Sequence, residues 1–532
     1  MKNKRIVFID FEYFDNLGVG YMSSVLSDAG YEISVIDLRD GKKEILKVLK
    51  ESNPILVGFS LIFQYYIQEF AELILYLREK GIDCHFTGGG HYASLACENL
   101  FDIIPSLDSI VRFDGEYTVL ELVNCIYNGT DWKKVNGIAY KYSGIITINP
   151  LRPIEKNLDN FPYPMRSPLK EYALGKKFAT LIASRGCINN CSFCSVKEYY
   201  HLSSGPIKRI RQPEKVVEEM ELLHRNKDCS VFLFQDDDFP VKTTKGTEWI
   251  ERFCKEIKRK RLTDKIMWKM NCRPDEVDYK SFGMMKEHGL FLVFLGIEDG
   301  TNIGLSRIRK HITVEEILKA VNTLGKLDIG YDYGFMPFHP ASTFSSIKEN
   351  FNFLKTICNN GYASVTFLKM LPFYSTAVER ELSRAGRLKG IPGFLNYDFH
   401  EESLNHYYVF ITDCFLEWKG DNNGFMNRAK WARNYISVFS HFFGLIPELP
   451  GLKKEVCRII DESNTFFFDM LDELAIIFET GKYNNGNYDD LNRYREKIKI
   501  KHDQYKEQIN AILTNLIILK EVRQQIQSVI PL

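Results

Sequence analysis

Over residues 4–127, short apolar runs alternate with amphipathic stretches. "RIVFID", "YEISVIDL", "PILVGFSLI", "DCHFTGGG" and "LDSIVRF" read as five strands. "GYMSSVLSDAG", "DGKKEILKVLKES", "QEFAELILYLREKG" and "GEYTVLELVNCIYNG" repeat apolar residues every three or four positions and read as helices. Near-continuous apolar strands joined through helices predict a parallel sheet covered on both faces. This is a doubly wound α/β domain over residues 1–130, with its ligand beyond the carboxyl ends of the strands. "WKKVNGIAYKYSGIITINP" reads as a hairpin, and "EKNLDNFPYPMRSPLKEY" as a proline-bearing connector, so 131–175 is assigned to hairpin and linker. A second alternation follows, with strands "FATLIASRG", "SVFLFQDD", "KIMWKMNC", "LFLVFLGIE", "IGYDYGFMPF" and "SVTFLKMLPF". Six strand–helix units predict a partial (β/α)6 barrel over 176–385, with chemistry at the strands' carboxyl ends. Residues 386–532 turn mostly helical, ending in a long amphipathic helix. The aromatic cluster Tyr407, Tyr408, Phe410 and Trp418 reads as core of that region.

Composition changes this picture little. The 532 residues carry 69 Lys and Arg against 69 Asp and Glu, so the formal net charge is zero. That balance gives no footprint for nucleic acid. No apolar run is long enough to predict a membrane span. Asp10 and Glu12 interrupt the apolar start, which reads as a strand and not a signal peptide. Twelve cysteines are too sparse for a disulfide scaffold and predict reduced thiols in a cytoplasmic chain.

Three of those cysteines are crowded: Cys187, Cys191 and Cys194, spaced C-x3-C-x2-C. They follow "FATLIASRG", on a loop at the carboxyl end of a barrel strand. Three thiolates suit three irons of a cubane 4Fe–4S cluster and leave the fourth iron open to a small molecule. Structural zinc is disfavoured, because no fourth Cys or His stands at finger spacing and His201 has no pairing partner nearby.

"CINNCSFC", with Phe193 as its aromatic, resembles the signature of the radical S-adenosylmethionine (SAM) superfamily. The resemblance implies that the open iron binds the amino and carboxylate groups of SAM. Reductive cleavage would then give methionine and a 5′-deoxyadenosyl radical. It places the SAM amine near "FQDDDF", where the choice among Asp236, Asp237 and Asp238 stays open. "GIEDG" resembles a segment lining the SAM site and nominates Glu298. Arg307, Lys310 and Arg273 are weaker candidates. On the substrate side stand Tyr333, His339 and Tyr374, each equally readable as packing.

The first domain resembles the Rossmann-like cobalamin-binding domain found in front of such barrels. "LGVGYMSSVLSDAGYEISVIDL", "ILVGFSLIFQ", "HFTGGGHYAS" and "VRFDGEYTVLEL" carry the resemblance. Asp83, His85 and Gly88 spell D-x-H-x-x-G, the pattern whose histidine ligates cobalt elsewhere, but they lie in the fourth strand and not after the first. By order, the matching loop is Tyr13–Gly18, where Asp15 takes the histidine's place. The resemblance therefore implies cobalamin without a protein histidine on its lower face. Its contacts would be Asp15, Gly18, Gly20, Ser60, Gly88, Gly89, Gly90, His91 and Glu116. His85 reads as a packed strand residue. Two alternatives stay open: a nicotinamide or flavin site on Gly18-x-Gly20 with Asp37, although Ser23 stands at the third glycine position, or a domain without a ligand.

The combination implies a cobalamin-dependent radical SAM enzyme, with C-methylation of an unactivated carbon as the leading reaction. Cyclisation, ring contraction or another oxidation by the same cofactors is the alternative, and a non-catalytic cofactor-binding sensor is the reading from another class. A methylthiotransferase is disfavoured, since Cys84, Cys97 and Cys125 form no second cluster set. The partners implied are a small-molecule or peptide substrate and an electron donor such as flavodoxin or ferredoxin.

Overall fold

The five apolar runs form β1 (Arg5–Asp10), β2 (Glu32–Asp37), β3 (Leu56–Ser60), β4 (His85–Gly89) and β5 (Ser109–Val111) in the computed structural model. All five pair in parallel, in the order β2-β1-β3-β4-β5. The strand order reverses between β1 and β3, which opens a crevice at their carboxyl ends. Alternation along β1 explains the two covered faces. Val7 and Ile9 pack with Phe70, Leu73 and Ile74 of the helix Ile67–Glu79. Ile6 and Phe8 pack with Val19, Leu26, Val119 and Leu122 from helices on the opposite face.

The structure describes residues 3–11, 15–243, 246–358, 361–420, 423–482 and 488–529. It divides into two units. The first holds Met1–Leu169, Ala179–Glu219 and Leu371–Tyr397; the second holds Lys170–Phe178, Met220–Met370 and Asp398–Leu532.

In the first unit the expected hairpin is present as β6 (Ile138–Tyr142) and β7 (Ile145–Ile148). It extends the first sheet, β6 running antiparallel to β5. The connector after it packs tightly on the helix Leu17–Asp28. Met165 N donates to Gly20 O at 3.0 Å, and Ser24 Oγ donates to Tyr163 O at 2.8 Å.

β8 (Glu171–Ala173) and β9 (Lys176–Leu181) begin a second sheet, and β10 (Ser184–Arg185) pairs antiparallel with β11 (Arg209–Ile210). The second sheet continues through β12 (Cys229–Phe234), β13 (Met267–Cys272), β14 (Leu290–Glu298) and β15 (Gly330–Phe335). Its order is β15-β14-β13-β12-β9-β8, a curled half-barrel. β12, β13, β14 and β15 are parallel to one another. The sixth expected strand, "SVTFLKMLPF", is irregular. Leu368 N reaches Phe335 O and Met370 N reaches Phe338 O, both at 2.8 Å, and one bridge, Phe338–Lys369, forms. The segment has only the last turn of the sheet edge to pair with.

A second hairpin, β16 (Leu388–Ile391) and β17 (Phe394–Tyr397), stands where the sequence suggested the start of a helical region. It belongs to the first unit, where Gln68 donates to Pro392 O at 2.9 Å. Helices Glu402–Cys414, Phe425–Phe443, Leu449–Glu479 and Tyr488–Val529 follow. On the last helix the buried residues Ile498, His502, Tyr505, Ile509, Ile512 and Leu516 stand in steps of three and four and make one seam, with buried Leu513 beside it. Tyr407, Phe410 and Trp418 are buried among the helices of the second unit, as their pattern implied.

Candidate active site

The three cysteines lie on an irregular loop between β10 and the helix Ser195–Leu202. Gly186 opens the loop at φ +92°, and a Cβ there would stand 1.8 Å from Ile207 O, so only glycine fits. Cys194 N donates to Cys191 O at 3.3 Å, closing a turn that carries Ser192 and the half-buried Phe193. Asn189 Nδ2 donates to Cys187 Sγ at 3.3 Å. Two contacts from Leu371–Tyr397 brace the loop: Val378 N donates to Ser192 O at 3.2 Å, and Arg380 pairs with Glu198 at 3.1 Å.

Charged pairs tie this loop to the first sheet. Arg185 Nη2 donates to Glu116 Oε1 at 2.7 Å, and its guanidinium lies 5.0 Å from the Tyr21 ring. Arg209 Nη1 donates to Asp114 Oδ2 at 2.6 Å. Glu116 and both arginines are buried or nearly so, which is tolerable only because the charges meet. Glu116, expected at a cofactor, therefore already has an arginine on one oxygen. His91, just past the glycine turn, stacks on Tyr199 at 4.4 Å and hydrogen-bonds the backbone of Ser195. Burial pulls its pKa down to about 4.

At the crevice between β1 and β3, Asn16 caps the helix Leu17–Asp28 through Val19 N and donates from Nδ2 to Ser60 Oγ at 3.1 Å. Ser60 thus lies where the strand order predicts a ligand. Gly90 adopts φ +108° and packs on the Leu61 and Ile62 backbone, a turn that requires glycine. Gly88 and Gly89 are in strand conformation, with Leu61, Leu107 and Val111 near them. Gly18 is exposed, and a Cβ there would stand 3.5 Å from Asn16 Oδ1.

Two residues expected at the cofactor already have close protein neighbours. The Asp15 carboxylate accepts from Arg166 at 2.8 Å and from Thr180 N at 3.2 Å. Arg166 continues to Glu219 at 2.8 Å, and Arg211 joins Glu219 at 2.7 Å to Asp159 at 3.2 Å. Asp15 belongs to this buried ion network. Gly20 faces the connector: a Cβ would come within 2.6 Å of Met165 O. Tyr13 and Phe14 of the same loop lie outside the described residues. His85 heads β4, bonds Ser109 Oγ at 2.8 Å and stands edge-on to Trp132, a packed strand residue.

In the second unit Glu298 ends β14 at φ +74°, beside a register shift. Lys310 Nζ approaches its Oε1 at 3.4 Å, and burial raises its pKa above the usual carboxylate value. A Cβ at Gly296 would meet Lys310 Nζ at 2.7 Å, and one at Gly334 would meet Glu298 Oε2 at 3.2 Å. Both glycines therefore make room for this pair. Arg273 Nη2 donates to Lys310 O at 2.9 Å. Past β12, Asp236 and Asp238 are buried and Asp237 is exposed; Asn271 Nδ2 reaches Asp236 O at 3.3 Å. Arg307 is exposed.

Comparison with known proteins settles the class. A model of the radical SAM superfamily matches residues 181–354, and a model of the B12 binding domain matches residues 11–123. The chain belongs to the cobalamin-binding radical SAM superfamily. It is 28% identical over 364 residues to an uncharacterized methyltransferase of Pyrococcus horikoshii, covering 67% of this chain and 76% of the relative. It is 27% identical over 350 residues to the anaerobic magnesium-protoporphyrin IX monomethyl ester cyclase of Rubrivivax gelatinosus, covering 63% of this chain and 60% of that protein. The fold matches the cobalamin-dependent radical SAM enzyme OxsB, solved with aqua-cobalamin and SAM, at a TM-score of 0.68 and 18% identity. That match covers 99% of this chain and 80% of OxsB.

This cobalamin-dependent radical SAM enzyme thus takes a 4Fe–4S cluster, SAM and cobalamin, and its chemistry needs a reductant and a substrate. Among the described residues, no helix is long and apolar enough to cross a membrane. Tyr333 is buried, with its hydroxyl donating to Ser364 O and accepting from Thr366 N, both at 3.2 Å. His339 Nδ1 accepts from Ala341 N at 3.2 Å, and burial pulls its pKa to about 4. Tyr374 belongs to the first unit, accepting from Asn99 at 3.0 Å and standing edge-on to Tyr92. Sequence reasoning missed Arg166, Arg185, Arg209 and Arg211. One signal was present: in "RIR" the arginines at 209 and 211 are buried while Ile210 is exposed, an inverted strand pattern that demands buried acids.

Proposed function

We propose that the enzyme methylates an unactivated carbon of its substrate. One observation carries this: the first unit alone holds both the three-cysteine loop and the β1/β3 crevice, joined by Arg185–Glu116 and Arg209–Asp114. Cys187, Cys191 and Cys194 fit a cluster in number, spacing along the chain and partial exposure. Ser60 and Asn16 stand at the sheet end where a broad ligand would lie, with Gly90 and His91 in the turn that follows β4.

When bound, the cluster and SAM supply a hydrogen-abstracting radical, and cobalamin supplies a methyl carrier. The chain's own part is to hold and shield. Cys187, Cys191 and Cys194 would hold three irons. As the resemblance implies, one of Asp236, Asp237 and Asp238 would accept from the SAM ammonium, and Glu298 would take a ribose or amine contact. Phe193 would pack beside the cluster. His91, stacked on Tyr199, fixes the glycine turn against the cluster loop. With Asp15 bound to Arg166, the loop after β1 offers cobalt no histidine and no free aspartate.

Similarity to the Pyrococcus horikoshii methyltransferase supports methylation, and similarity to the cyclase favours oxidative chemistry as the second reading. The test is anaerobic reconstitution with iron, sulfide and hydroxocobalamin, then SAM, a reductant and candidate substrates. Equal amounts of S-adenosylhomocysteine and 5′-deoxyadenosine, with a product heavier by one methylene, are expected. Conversion giving 5′-deoxyadenosine alone would reject methylation and leave the oxidative reading.

A further inference from the structure

The first residues of β13, β14 and β15 (Met267, Leu290 and Gly330) border a cavity of about 620 Å³ within the second unit. The helices Phe425–Phe443 and Leu449–Glu479 close its other side. It lies at the end of the sheet away from Glu298. The nine residues of β14 separate the two by about 25 Å, at roughly 3.3 Å per residue. The cavity is therefore no part of the site described above. Its size is that of small-molecule sites.

Its walls are apolar, from Phe291, Leu292, Ile436 and Val456, but its charge is one-sided. Lys286, Arg433 and Lys453 line it against a single acid, Asp328. Lys453 holds both Asp328 carboxylate oxygens, at 2.7 and 2.8 Å, while Lys286 Nζ reaches only the Asp328 backbone oxygen, at 2.7 Å. Arg433 donates to Asp332 at 3.1 Å, but its Nε is buried and makes no hydrogen bond among the described residues. His441 Nε2 is likewise buried without one, although the ring is bonded to the backbone at Ile266. Lys453 and Arg433 thus each meet a carboxylate, whereas Lys286 meets none among the described residues, and its spare N–H donors at the cavity wall call for an anionic oxygen.

We propose that this cavity binds an amphiphilic monocarboxylate. Its apolar body lies against Phe291, Leu292 and Ile436, and its carboxylate is held by Lys286, Arg433 and Lys453. The ligand would fasten the C-terminal helices to the starts of the barrel strands, as an effector distinct from the substrate.

Calorimetric titration of the full chain with decanoate and with decanol tests this, before and after cluster reconstitution. Decanoate should bind saturably, about tenfold more tightly than decanol, and raise the thermal midpoint. Ser437→Trp, which fills the cavity, should abolish binding. Lys453→Met, on an exposed position, should weaken it about tenfold and serves if the tryptophan variant fails to fold. Equal binding of decanol, undiminished binding by a folded Ser437→Trp or by Lys453→Met, or no saturable binding at millimolar decanoate (a water-filled cleft only) would overturn the proposal. None of these readouts depends on turnover, so failure here leaves the methylation proposal standing, and the reverse.

Discussion

The two parallel sheets finish their carboxyl ends in opposite ways. In the first unit, acids there are clamped by arginines: Asp15 by Arg166, Asp114 by Arg209, Glu116 by Arg185. In the second, Glu298 has a positive φ, one long contact to Lys310 at 3.4 Å, and a pKa raised by burial. Charge at the first end holds chain segments together. Charge at the second is strained and thinly paired, the condition in which a carboxylate is available to a ligand. Similar residue types thus do scaffolding in one sheet and are left ready in the other.

The largest test separates chemistry from scaffold. Cys191→Ala should bring bound iron and reductive SAM cleavage to background while leaving the fold intact, read by iron assay and circular dichroism. Retained cleavage would remove the cysteine loop from the site.

Next, double-mutant cycles measure the clamps directly. Arg185→Met or Glu116→Leu alone should each cost about 3 kcal/mol in urea unfolding, because each strands a buried charge, and the double variant should cost much less. The same cycle on Glu298 and Lys310 should give a coupling below about 1 kcal/mol. Equal couplings would erase the contrast.

A pH experiment comes third. His91 in the first unit and His339 in the second are both held near pKa 4 by burial, below the usual 6.5. The unfolded chain therefore takes up protons first as pH falls. Their contribution is complete above pH 6.5 and is lost progressively down to about 4. His91→Asn should flatten the acid limb by about one proton between those limits, and an unchanged slope would show that the ring is solvated. Smallest is Tyr333→Phe, expected to cost about 1 kcal/mol of stability with turnover unchanged. A collapse of turnover in a folded variant would return Tyr333 to the substrate.

What was legible in the sequence was local. The five strands of the first sheet follow from apolar runs, and the cysteine loop from spacing within eight residues. The arginine clamps were hidden because Arg166 meets Asp15 across 151 positions, and no local pattern encodes that. The sixth barrel segment carried strand-like residues, but an edge must offer partners, and β15 offers only its last few. The hairpin β16–β17 was missed although "GIPG" is a turn signal, because its strands are short and largely exposed.

The return of Leu371–Tyr397 to the first unit has a consequence for the order of assembly. The cysteine loop leaves the ribosome early, yet its braces Val378 and Arg380 are made nearly two hundred residues later. Until then the loop lacks these contacts, and closing so long a separation is entropically slow. The thiols are therefore most accessible to a cluster-delivery system while the second sheet is still being synthesised, and the strap that completes their surroundings arrives last.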